Sequence, residues 1–391
     1  MRSSPQEDSK CCWPASVERS IYVHDENYAK LSKEHSQVLA DQEKLRSEVT
    51  ALVSDNEKLK QSVDARESQI LVLRPYRTDF TRHHAKEDFE KLVARIDDWV
   101  MNRIEKFLVD EKFAEQWLNW LPYFPQVAAG FHQALDSYHD LSSSIGYPDI
   151  DQDILSAYIL RFVWQGADIQ YRELVGEIER TMTSCANPSL DMSAVHSWRA
   201  QTYHALFSRP EYSNIRQERI DDLASELVQV LGFVSHDSDM ATFVRSISSE
   251  IIEPCISLCE KILRSHEEFY IETINPGTIM SQDRPEELHQ RLQDDDINCR
   301  NVAECCSIFM TNKLKPIPTK EKLEKHLHIL CSIRPALKAR EFQNSTGQEA
   351  QTIVKETVLI LWDPDGLQDP TELKSETWLS RVYKHSMMQQ K

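Results

Sequence analysis

The sequence predicts an all-α protein, an N-terminal parallel coiled-coil helix followed by a multi-helix globular domain. Three observations carry that prediction. Leu31, Val38, Leu45, Leu52 and Leu59 recur every seven residues, and a sustained seven-residue apolar repeat winds a helix around a partner helix. Glycine is scarce, eight residues in 391, where average usage gives about 27, and few glycines mean few tight turns. Beyond Pro75, apolar residues recur at the 3.6-residue period of amphipathic helices.

Residues 1–24 are expected to form a disordered tail and residues 25–75 the coiled coil. With the leucine line at d, position a is filled by Tyr28, His35, Gln42, Val49, Asn56, Val63 and Ile70, and the stretch from Leu45 to Val63 is the cleanest. Leu45, Val49, Leu52, Asn56, Leu59 and Val63 are therefore the candidate oligomerisation residues. Asn56 favours two parallel strands, because an amide at one a position pairs with its mate and fixes register at some cost in stability. Asp41 faces Arg46 and Asp55 faces Lys60 of an in-register second copy, opposite charges at the g and e positions. The competing reading lays this stripe on the chain's own body, as an ordinary amphipathic helix does.

Residues 80–391 are expected to be an all-helical globular domain, with a candidate division near 184–194. Phe89, Leu92, Val93, Ile96, Trp99, Val100, Ile104, Phe107 and Leu108 line one long helix. Further helical patterns cover 127–141, 154–178, 195–207, 220–234, 251–270, 302–310 and 320–333, and a weaker one follows Pro285. The one exception is Thr352–Trp362, rich in β-branched residues and stopped by Asp363-Pro364-Asp365-Gly366. It reads as a short strand or hairpin, or else as another helix.

Composition limits the functions on offer. Residues 1–73 carry −3 of the formal net charge of −18, which leaves −15 on the rest, a field that repels phosphate backbones and anionic membranes. A DNA-binding basic zipper also needs a basic helix upstream, and residues 1–27 hold three basic against five acidic side chains. No direct nucleic-acid or membrane partner is expected. Nine cysteines without a secretory leader read as reduced thiols of a cytoplasmic or nuclear protein.

Catalytic signatures are missing. The glycines fall at 130, 146, 166, 176, 232, 277, 347 and 366, too far apart for phosphate-binding loops or nucleophile elbows. Cys255 and Cys259 lie one turn apart on an apolar helix, where cysteine packs as a small hydrophobe. His326, His328 and Cys331 form the densest group of ligand-type residues, yet on a helix only the last two share a face. No cofactor, no metal and no catalytic residue is assigned. One further cluster stands out, Trp117, Trp120, Tyr123, Phe124 and Phe131. It is either a packed corner turned by Pro122 and Pro125 or, where exposed, a partner-binding patch made of Trp117, Trp120, Tyr123 and Phe124.

Ile96-Asp97-Asp98-Trp99-Val100, Phe162-Val163-Trp164-Gln165 and Ala200-Gln201-Thr202-Tyr203, set behind the zipper, give residues 28–391 a layout that resembles uncharacterised filamentous-fungal proteins joining an N-terminal coiled coil to a helical body. The resemblance implies that architecture and no activity. The sequence thus points to a non-enzymatic oligomerising scaffold, itself its own partner. The alternatives are a regulatory subunit pairing with a different zipper protein, and an all-helical enzyme without glycine-rich signatures.

Overall fold

A computed structural model describes residues 15–73, 80–123, 125–167, 171–185, 192–235, 239–273, 296–340, 342–343, 346–347, 350–364 and 372–388. The chain divides into two compact units, Met1–Pro75 and Tyr76–Lys391.

Among the described residues the first unit is a single helix, α1 (Ala15–Leu73). Neither glycine nor proline occurs inside it, and Pro14 and Pro75 bracket it. At a rise of 1.5 Å per residue, its 59 residues extend about 90 Å. Every side chain from Lys30 to Lys60 is exposed.

The second unit departs from the all-helical expectation, because it is a mixed α/β fold. Its helices are α2 (Arg82–Val109), α3 (Glu111–Trp120), α4 (Pro125–Asp136), α5 (His139–Ser144), α6 (Asp151–Gly166), α7 (Arg172–Ser184), α8 (Met192–Phe207), α9 (Tyr212–Leu231), α10 (Met240–Ser246), α11 (Glu253–Leu263), α12 (Lys320–His326) and α13 (Trp378–Met388). A π turn, Ile247–Ile252, joins α10 to α11. The strands are β1 (Glu268–Glu272), β2 (Ile297–Asn301), β3 (Ser307–Phe309), β4 (Leu327–Arg334), β5 (Ala336–Arg340), β6 (Phe342–Gln343), β7 (Thr346–Gly347), β8 (Gln351–Val354) and β9 (Glu356–Trp362). An antiparallel sheet runs β1-β5-β8, and a mixed sheet runs β3-β2-β9-β4 with β2 parallel to β9.

Helix α2 begins where Thr81 accepts a hydrogen bond from the backbone of His84, whose ring reaches back to the Thr81 N–H. This reciprocal cap satisfies two donors that a helix start leaves unpaired. Its buried face, Phe89 to Phe107, follows the expected period. Asp110 ends α2 and caps α3 by accepting from Phe113 N–H at 3.1 Å. Helix α6 has no solvent side over Ile154–Leu160, all of it buried, as a central helix requires.

Strand β9 divides the apolar interior. Leu359 and Leu361 face the main core, while Val358 and Ile360 face a second, smaller core with Leu323 and Phe309. This is the period-two alternation of a strand buried on both faces. In β4, Leu327 and Ile329 belong to the small core but Cys331 and Ile333 to the main one. A bulge between Ile329 and Cys331 shifts the register against β9, and one extra residue turns the strand over.

Two other expected helices are overturned. Residues 302–310 form a short 3₁₀ turn and β3, because two successive left-handed residues, Cys305 (φ 50°) and Cys306 (φ 56°), reverse the chain. The 251–270 helix stops at Leu263 and gives way to β1, whose backbone pairs with β5. The helix expected after Pro285 lies outside the described residues.

Candidate interaction surfaces and buried polar networks

The heptad line is exposed in the single chain. Leu31, Leu45, Leu52 and Leu59 are 61–69% exposed, and Val38 and Val49 are similar. Asn56 is exposed among them. The side chain of Val63, the last of the six candidates, lies outside the described residues. Asp41, Arg46, Asp55 and Lys60 flank the line in the open, with Asp55 held 3.4 Å from Lys58 on its own helix. Leu39 and Val53, also exposed, sit at e positions and widen the apolar stripe on one side.

The aromatic corner splits in two. Trp117 is half-buried, donates its indole N–H to the Phe233 carbonyl at 2.6 Å and lies against Phe107. Phe131 is fully buried against Phe233, with ring centroids 4.4 Å apart. These two hold the corner together. Trp120 and Tyr123 are 61% and 79% exposed, and Phe124 lies outside the described residues. Helix geometry explains the split. Leu118 and Leu121 are buried, and positions 117, 118 and 121 make one i, i+1, i+4 face that turns Trp120 outward.

The ligand-type group His326, His328 and Cys331 is not brought together. His326 ends α12, while His328 and Cys331 stand on β4 on opposite sides of its bulge, so the helical geometry assumed for them is replaced by a strand. Among the described residues no three His, Cys, Asp or Glu side chains form a metal-holding group. Cys255 and Cys259 are buried in α11, where a hydrogen bond between the two sulfurs and then burial raise the Cys255 thiol. Glu177 is exposed, whereas Glu179 sits 3.5 Å from both His196 and Arg199.

The charged groups that converge inside the body act on one another. Arg161 on α6 grips Asp140 on α5 with two hydrogen bonds and donates a third to the Ser332 carbonyl of β4. Asp153 on α6 pairs with Arg300 on β2 at 2.8 Å, and Asp97 on α2 pairs with Arg334 on β4 at 2.5 Å. Three ion pairs thus pin helices to the mixed sheet or to one another beside it. Sequence reasoning missed them because their partners lie 21 to 237 positions apart.

The cleft of most chemical interest, about 590 Å³, is lined by Glu111, Asp149, Asp151, Thr377, Trp378 and Arg381 among others. Asp151 is buried there, and burial raises its carboxyl to about 6. Both of its oxygens are committed: Thr377 Oγ donates to one at 2.8 Å and Leu379 N–H to the other at 2.9 Å. The carboxylate caps the start of α13, where backbone N–H groups and the helix dipole favour an anion. It ties α13 to the body.

Comparison of the chain with family models, with characterised proteins and with solved structures finds no match. Among the described residues no helix is long and apolar enough to cross a membrane.

Proposed function

We propose that this chain is a non-enzymatic oligomerising interaction protein. Two copies join through a parallel coiled coil of α1 and present two acidic bodies, each offering Trp120 and Tyr123 to a further protein. The observation that carries this reading is the exposed line from Leu31 to Leu59 on a helix of 59 residues. An apolar stripe this long on a water-exposed helix is a packing surface, and each leucine it buries contributes about 2 kcal/mol. Asn56 and the g–e charge pairs set the strands parallel and in register.

Register is tested by Asn56→Cys. In a parallel pair the two cysteines face each other and oxidise to a linked dimer, whereas Glu57→Cys, pointing outward, does not. Equal linking at both sites, or at neither, contradicts the parallel arrangement.

A second reading is favoured by Leu39 and Val53. In an in-register homodimer these e residues meet Glu34 and Glu48 of the second copy, an apolar group against a charge. A different zipper protein with apolar g residues complements them better, which makes this chain a regulatory subunit. Stoichiometric co-purification of such a partner from the native cell distinguishes the two.

A further inference from the structure

The turn between β2 and β3 places two adjacent cysteines in a conformation that L-residues avoid. Asn301 pairs with Ser307 across the hairpin, and its side-chain oxygen accepts the Ala303 N–H and starts the 3₁₀ turn Val302–Glu304. Cys305 (φ 50°) and Cys306 (φ 56°) then turn the chain back. Left-handed backbone costs a non-glycine residue free energy and is met as single residues, mostly Gly, Asn or Asp. Here the chain holds two in a row, both bearing thiols, and such outliers direct attention to function.

The two thiols also act on each other, since Cys305 helps to raise the Cys306 thiol. Neighbouring residues of a strand point to opposite faces. Cys305 is fully left-handed (φ 50°, ψ 47°), a step that turns neighbours by about 100°, the mirror image of the helical step, and so sets the two side chains nearer than a strand would. Cys305 is exposed and Cys306 half-buried, which leaves the first open to reagents and the second beside it. We propose that Cys305 and Cys306 are a vicinal dithiol that closes into an eight-membered disulfide ring by exchange with a low-molecular-weight disulfide.

The exchange balances without any other reagent. The Cys305 thiolate attacks the incoming disulfide, forms a mixed disulfide and releases one thiolate. Cys306 then attacks the Cys305 sulfur, gives its proton to solvent and expels the second thiolate. Two protein thiols are oxidised and one small disulfide is reduced to two thiols. Burial raises the Cys306 thiol to about 11, which leaves the exposed cysteine to attack first, and Cys306 resolves by its adjacency to the mixed disulfide. Adjacent Cα atoms lie 3.8 Å apart across a trans peptide, closer than the 4.4–6.8 Å of ordinary disulfides. The ring is therefore strained and readily reduced, the property of regulatory disulfides rather than structural ones. Its closure acts on Cys306, whose carbonyl accepts from Arg300, the partner of Asp153 on α6.

The test is peptide mass after treating the folded full-length protein with oxidised glutathione, blocking free thiols and digesting with trypsin. Asn301–Lys313 is released as one peptide with these two cysteines and no others. The expected result is that peptide lighter by two hydrogens and free of glutathione, while exposed Cys185 keeps a glutathione adduct. Cys305→Ser abolishes the loss of mass, and Cys306→Ser traps glutathione on Cys305. A glutathione adduct retained on the wild-type 301–313 peptide, a link between two chains, or two thiols left free while Cys185 reacts would each overturn the proposal.

Discussion

Arg161 and Asp140 meet in a two-pronged ion pair, Nη1 and Nη2 on the two carboxylate oxygens at 2.8 and 2.6 Å, with both side chains close to nine-tenths buried. The same guanidinium reaches Ser332 on β4 and lies over the Tyr138 ring. One arginine thereby joins α5, α6 and the mixed sheet. Removing a single partner leaves the other buried and uncompensated, which costs about 3–5 kcal/mol. Arg161→Met is expected to lose stability in that range by urea denaturation. Arg161→Met with Asp140→Leu is expected to lose less than the sum of the two single changes. Strict additivity would show that the pair acts as two independent surface charges.

Asp151 gives a pH signature. Its carboxyl moves from 3.8 to about 6 on folding, through burial. The folded state therefore holds the proton more tightly than the unfolded one, and the stability linked to this group is full below about 3.8 and lost as pH rises through 6. Two units are about 3 kcal/mol. A carboxamide in its place does not titrate, and its oxygen still accepts from Leu379 N–H. Asp151→Asn is thus expected to improve relative to wild type by about 2 kcal/mol between pH 4 and pH 7. A difference that stays constant over that range contradicts the assignment.

His196 works in the opposite sense. Burial, helped by Arg199 and Arg340, lowers its ring from 6.5 to about 3. The stability that the neutral ring supports is present above 6.5 and is lost as pH falls toward 3. The His196 ring resonances are expected not to move between pH 7.5 and 5. His196→Gln is expected to flatten the decline of stability with acid. Titration of that ring near 6.5 would place it in water.

Trp117 and Trp120 are expected to part company. Trp117→Ala removes the bond to Phe233 and the packing on Phe107, a loss of about 3 kcal/mol or more that thermal unfolding detects. Trp120→Ala, on an exposed ring, is expected to change stability by less than about 0.5 kcal/mol while weakening partner capture. Equal destabilisation by both would assign the corner to the core alone.

How far the sequence speaks depends on the reach of each pattern. Helix α2 is legible because its face repeats over nearly thirty residues of one element. Strand β9 is half legible, since its β-branched run fits a strand while burial on both faces removes the alternation. Strand β4 misleads: Leu323, Leu327, Leu330 and Cys331 stand at i, i+4, i+7 and i+8, a helical stripe. The first belongs to α12, and the bulge after Ile329 puts Leu330 and Cys331 on one face of the strand. Strand β1 carries five residues whose identity as a strand rests on pairing with β5, some seventy positions away. The heptad line and Trp120 as a candidate were nameable from sequence alone, whereas the exposure of Trp120 and the capping role of Asp151 required knowing how α3 packs and where α13 lies.

The most direct test of the coiled-coil account is the molar mass of the intact chain by light scattering, beside that of a Leu45→Asp, Leu52→Asp variant. The account predicts twice the 45.5 kDa chain mass for the wild type and a single-chain mass for the variant, with the body's thermal unfolding unchanged. A single-chain mass for the wild type, or a dimer that survives both substitutions, contradicts it.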